Sequence, residues 1–178
     1  MSGTYSIALA TPADVPDLHA LIRGLAEYER LSDACVSTPA DIDSALFGPD
    51  PAAEALIARE AGITASAAGF ALFFHTFSTF LGRRSLWLED LFVRPEARGA
   101  GLGRALLLEL AAIACERGCG RFEWSVLDWN APAIGFYEAQ GATILPDWRI
   151  ARVTGPALQA LGRVRRPVAA GAAGPPTA

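Results

Sequence analysis

Two acidic residues sit side by side in a stretch that is otherwise apolar. Leu86-Trp-Leu-Glu89-Asp90-Leu-Phe-Val93 reads as a buried strand, and Glu89 and Asp90 interrupt it near its centre. Carboxylates among Leu, Trp, Phe and Val are costly unless paired or hydrated, so they point to a use: accepting a proton or holding a cation. Neighbours on a regular strand face opposite sides, so the two should not share a role unless a bulge intervenes. For Asp90 a structural salt bridge is the competing reading. Pro95 ends the strand, because proline has no N–H for the ladder and constrains the residue before it. Arg98-Gly99-Ala100-Gly101-Leu102-Gly103-Arg104 follows, and then an apolar run that can only be helical. Glycines let backbone amides approach a ligand, and the helix points its unpaired N–H groups back at the turn. With Arg98 and Arg104 adding positive charge, the stretch is suited to phosphates beside two carboxylates.

The lysine-containing phosphate loop G-x-x-x-x-G-K-S/T is absent, since Arg104 and Ala105 follow Gly103. The dinucleotide fingerprint G-x-G-x-x-G fails as well, because Gly99 and Gly101 would require glycine at position 104. A second acidic stretch, Glu27-Tyr28-Glu29-Arg30, falls at a helix C-terminus, where the dipole disfavours carboxylates. It is either a solvated face or the border of a cation site. His19 lies among apolar helix positions and reads as a packing or surface residue. Cys35, Cys115 and Cys119, an odd number, give no disulfide framework, and with two histidines in the chain zinc is not expected.

The elements that must place these residues follow from spacing. Tyr5–Ala10 reads as a strand, Val15, Leu18, Ile22 and Leu25 as a helix running to about Arg30, and Thr38 to Phe47 as a short capped helix. Glu54–Glu60 and Ala67–Phe77 suggest an antiparallel hairpin, followed by the acidic strand. The helix from Leu102 to about Arg117 is apolar nearly all round, which predicts burial on every side. A strand over Arg121–Leu127, a helix opening at Asn130-Ala-Pro132 and ending at Gly141, a last strand over Trp148–Val153 and a final turn of helix over Pro156–Leu161 complete the order. These elements predict a mixed α/β sheet of six to seven strands flanked by helices, in one domain over residues 1–161. The Arg-, Pro-, Ala- and Gly-rich residues 162–178 read as a disordered tail. The 178 residues suit a single core, and a net charge of −4 argues against a basic nucleic-acid surface. No apolar run has membrane-spanning length and no secretion signal is visible, which makes the cytoplasm the expected location.

Arg98, Gly101 and Gly103 fit the pyrophosphate motif Q/R-x-x-G-x-G/A of the GNAT N-acetyltransferase superfamily. Asn130-Ala-Pro-Ala133-Ile-Gly-Phe136-Tyr137-Glu-Ala-Gln-Gly141 resembles its second signature, N-x-x-A-x-x-x-Y-x-x-x-G. Leu25-Ala-Glu-Tyr28-Glu29, the strand around Glu89, Trp129-Asn130 and Trp148-Arg149 extend the resemblance to the diamine acetyltransferases, which act on spermidine, spermine or thialysine. That resemblance implies the GNAT acyl-CoA N-acyltransferase fold, acetyl-CoA as the co-substrate without a metal, and a homodimer with Trp148–Val153 as a contact.

Residue by residue, the same resemblance implies that the backbone of Leu91, Phe92 and Val93 holds the pantetheine arm. Gly99, Ala100, Gly101, Leu102, Gly103 and Arg104 would hold the pyrophosphate, and Asn130 would touch the coenzyme, although it also reads as a plain helix cap. Tyr137 would give its proton to the leaving thiolate: a phenol titrates at about 10 and a thiol near about 8.5. Glu89 would serve as base through water, since an amine of pKa about 10.4 is neutral in about one molecule in a thousand at neutral pH. Tyr28, Glu29, Glu89 and Asp90 would line the substrate. Ser78 stands where the polyamine enzymes carry an aspartate, which favours lysine or thialysine over a long polyamine. Acetylation of a protein lysine or N-terminus, and a non-catalytic acyl-CoA sensor, are the alternatives.

Overall fold

In a computed structural model, residues 5–60 and 67–164 are described, and the chain divides into two compact units, Met1–Leu127 and Asp128–Ala178. The first unit holds β1 (Tyr5–Leu9), α1 (Val15–Tyr28), α2 (Pro39–Phe47), β2 (Glu54–Glu60), β3 (Gly69–Ser78), β4 (Arg83–Val93), α3 (Leu102–Glu116) and β5 (Arg121–Trp124). The sheet runs β1-β2-β3-β4-β5, antiparallel through β4 and parallel between β4 and β5. Leu18, Leu21 and Leu25 of α1 pack on one sheet face with Leu46, Ile57, Phe70 and Phe92, and Leu72 joins them from the margin.

Among the described residues the sheet has five strands, not six to seven. Trp148–Val153 is not a strand; it runs without regular structure, with Trp148 and Ile150 more than 70% exposed. Trp148, Ile150 and Val153 are residues that strands favour, but among the described residues no strand pairs with this segment. The strand expected over Arg121–Leu127 stops at Trp124. The α3 helix also departs from expectation. Leu102, Leu106, Leu107, Leu110 and Ala114 are buried, whereas Leu108 and Cys115 are exposed, so the sheet covers only one face of it.

The second unit contains α4 (Ala131–Glu138) and α5 (Gly155–Arg163). Residues 162 and 163, expected in the disordered tail, are the last of α5; the rest of that expectation, from residue 165 on, lies outside the described residues.

Candidate active site

The acidic strand gains its chemistry from an irregularity. Leu88 of β4 pairs with Phe73 of β3, but the next pair is Asp90 with Leu72, so Glu89 is an extra residue without a cross-strand partner. This is a β-bulge, and it resets the alternation of side chains. Phe70, Leu72 and Phe74 share one face of β3 by alternation, and two of them belong to the core beneath α1. Their partners Phe92, Asp90 and Trp87 therefore lie on that face too. Glu89 joins them: the Trp87 indole Nε1–H donates to Glu89 Oε2 at 2.9 Å. Glu89 and Asp90 thus sit on one side of the sheet, the exception that strand periodicity allowed for.

The end of α1 supplies a third carboxylate. Gly24 lets the helix come close, since a Cβ there would stand 3.1 Å from the Phe92 ring. Arg30, at φ 62°, takes the left-handed conformation that stops the helix, with Leu31 N–H donating to the Ala26 carbonyl at 2.7 Å. Glu29 is left as the last helical cap, and burial raises its pKa. Asp90 is half-buried, and its pKa is pushed up to about 6 by burial first, then by the charges of Glu89 and Glu29. All three causes disfavour the anion. Among the described residues, no cation forms an ion pair with Glu29, Glu89 or Asp90.

Arg98 ties the turn to this corner. Its guanidinium lies 4.9 Å from the Tyr28 ring centre and 5.6 Å from that of Phe92, and its Nε–H donates to the Val93 carbonyl at 2.9 Å. In the turn itself Gly99 and Gly101 have φ near 80°, and a Cβ at either would meet nothing within 4 Å. Backbone conformation, not crowding, calls for glycine there. Gly101 caps α3, Leu102 is buried, Gly103 sits in the first helical turn, and Ala100 and Arg104 are exposed, so the turn and the helix N-terminus open to solvent. Alongside, pairing between β4 and β5 ends at Leu88 and Trp124, which leaves Glu89–Val93 with no β5 residue opposite. An extended ligand could pair there as a strand would.

The remaining expected residues belong to the second unit. Asn130 is buried and caps α4, its Oδ1 accepting from Ala133 N–H at 3.3 Å. Tyr137 is buried, its ring centre 5.2 Å from that of Phe136. His19 is part of the scaffold, its Nε2 2.9 Å from the Ser37 carbonyl oxygen. The described residues also form a cleft of about 810 Å³ between Leu46–Glu54 and the outer end of β3, and it includes none of the expected site residues. Among the described residues, no three of His, Cys, Asp and Glu gather closely enough to hold a metal ion, and no helix is long and apolar enough to cross a membrane.

Residues 22–142 match the family model described as acetyltransferase (GNAT) family. The chain is 34% identical to the L-ornithine N5-acetyltransferase of Arabidopsis thaliana, over 89% of this chain and 88% of that one. It is also 34% identical to the thialysine N-epsilon-acetyltransferase of Sus scrofa, over 85% of this chain and 94% of the relative. Among solved structures, an integron cassette protein from V. cholerae superimposes with a TM-score of 0.75 at 26% identity, covering 92% of this chain and 99% of that one. The GNAT fold expected from the motifs is the observed one, with the strand count corrected to five.

Proposed function

The chain belongs to the acetyltransferase (GNAT) family, and from that premise we propose that it carries an acetyl group from acetyl-CoA to a primary amine of a small cationic molecule. The observation that carries this reading is the corner of Glu29, Glu89 and Asp90, three carboxylates gathered without an ion-pair partner among the described residues. Such a corner favours a cation arriving from solution. The names of the ornithine and thialysine acetyltransferases, which match most of the chain, point to an amino acid with a side-chain amine.

In this reading the amides of Gly99, Ala100, Gly101, Leu102, Gly103 and Arg104 hold the pyrophosphate at the start of α3. Leu91, Phe92 and Val93 offer the unpaired side of β4 to the pantetheine arm, although the Val93 carbonyl already accepts from Arg98. Asn130 contacts the coenzyme. Tyr28, Glu29 and Asp90 attract the ammonium, Glu89 draws a proton from it through water, and the neutral amine attacks the thioester carbonyl directly. As the C–S bond breaks, Tyr137 protonates the thiolate.

The test is release of free thiol from acetyl-CoA with thialysine, ornithine, lysine, spermidine and a lysine peptide, beside Tyr137→Phe and Glu89→Gln. Turnover of a small amine, reduced about a hundredfold in each variant, is expected. Turnover on the peptide alone would move the assignment to a protein acetyltransferase, and coenzyme binding without turnover on any amine would move it to a sensor.

A further inference from the structure

Resting on the reading as an amine acetyltransferase, we propose that Asp90 takes and holds the proton that Glu89, its solvent-facing partner, draws from the substrate ammonium through water. The bulge is the first observation. It puts both carboxylates on the face toward α1, whereas a regular strand would have sent one of them to the other face. The second is the difference between the two positions. Glu89 is exposed and its Oε2 already accepts a hydrogen bond from the Trp87 indole. Asp90 is half-buried and makes no hydrogen bond through its carboxylate among the described residues.

The charges that raise the Asp90 pKa come from two elements. Its own strand contributes Glu89, and α1 contributes Glu29. Across the ladder, β3 offers only Leu72. From the turn after β4 comes Arg98, which lies over Tyr28 and Phe92 and forms no ion pair with the three acids. Burial and two like charges bring the Asp90 carboxyl to about 6, which makes it a stronger base than an ordinary carboxylate and still largely ionised at neutral pH.

The proton count closes. The ammonium loses one proton by way of Glu89 and its water to Asp90, converting the Asp90 carboxylate to the acid, and the freed lone pair attacks the thioester carbon. The C–N bond forms, the C–S bond breaks, and the nitrogen sheds a second proton to solvent, while Tyr137 delivers one to the coenzyme thiolate and is reprotonated from solvent. Asp90 returns its proton to solvent past Glu89. Each turnover therefore yields amide, thiol and one proton.

Two measurements test this. The first follows the aspartate carboxyl ¹³C resonances of the whole protein from pH 4 to pH 8, in the wild type and in Asp90→Asn. One resonance should titrate near pH 6, vanish in the variant, and move to lower pH in Glu89→Gln. The second is the pH dependence of kcat/KM with acetyl-CoA and thialysine. The wild type should lose activity below about pH 6, and Asp90→Asn should lose that limb and about a hundredfold in kcat, with its coenzyme affinity unchanged and Asp90→Glu restoring part of the rate. If Asp90→Asn raises KM but keeps kcat and the limb, Asp90 merely attracts the cation and the inference is overturned, while the acetyltransferase reading stands. If no amine turns over, that reading fails, and the resonance titration still decides whether Asp90 holds a proton.

Discussion

Two groups of acids in the first unit, at opposite ends of α1, meet opposite fates. At the N-terminal end, Arg59 of β2 places one guanidinium nitrogen 2.7 Å from Asp14 and 2.6 Å from Asp17. Thr11 adds hydrogen bonds from its backbone N–H at 2.8 Å and its hydroxyl at 2.7 Å. Burial works to raise the pKa of Asp14, but Arg59 and Thr11 outweigh it and hold the carboxyl below its ordinary range. At the C-terminal end, Glu29 and Asp90 receive the burial without an ion-pair partner among the described residues, and their pKa values rise. The same side chains on the same helix and sheet therefore serve as a brace at one end and as an unneutralised site at the other. The difference lies in whether the fold supplies its own positive charge or leaves that to a ligand.

Supplying the missing cation should abolish the contrast. Leu72 lies directly across from Asp90, and its long apolar stem can be kept in Leu72→Lys while the ammonium reaches the acids. The variant should pull the Asp90 titration well below pH 6 and reduce kcat/KM for a cationic amine about a hundredfold, with coenzyme affinity retained. An unchanged rate would mean that the corner does not receive the substrate's charge. A smaller effect is expected of Glu29→Gln: one like charge fewer should raise KM about tenfold, leave kcat near its original value, and shift the acid limb of the pH profile downward. A steady-state pH series separates these outcomes.

Much of this arrangement is legible in residue types. Pro39–Phe47 and Glu54–Glu60 begin and end where their caps, turn and apolar spacing say they should. The glycine turn opens α3 at Leu102 because Gly99 and Gly101 permit positive φ. The acids stand out because their neighbours are apolar. The bulge is not legible in the same way: Glu89 carries no local mark of being an extra residue, since a bulge exists only in the register between two strands. The surroundings of each carboxylate were hidden for the same reason. Adjacent letters cannot say which carboxylate meets a tryptophan indole and which meets Glu29 from another element. Trp148–Val153 misleads in the reverse direction, because Trp148, Ile150 and Val153 are residue types that strands favour while pairing depends on a partner edge. The apolar circumference of α3 likewise records composition, not how many faces the sheet covers.

The most direct test compares unfolding free energies of Asp14→Asn, Asp90→Asn and the wild type in urea at pH 7.5 and at pH 5. Asp90 binds a proton more tightly when folded, so the folded state gains from it below pH 6 and loses as pH rises from the ordinary 3.8 through about 6. Asp14 has the opposite sign: its contribution is present above the ordinary value of 3.8 and is lost as pH falls through its lowered pKa. At pH 7.5 Asp90→Asn should therefore gain about 1–2 kcal/mol, a gain that shrinks at pH 5, while Asp14→Asn should lose about 1 kcal/mol at both pH values. Opposite signs would establish one end of α1 as neutralised within the fold and the other as held open for a cation. A loss of stability in both variants at pH 7.5 would contradict that account.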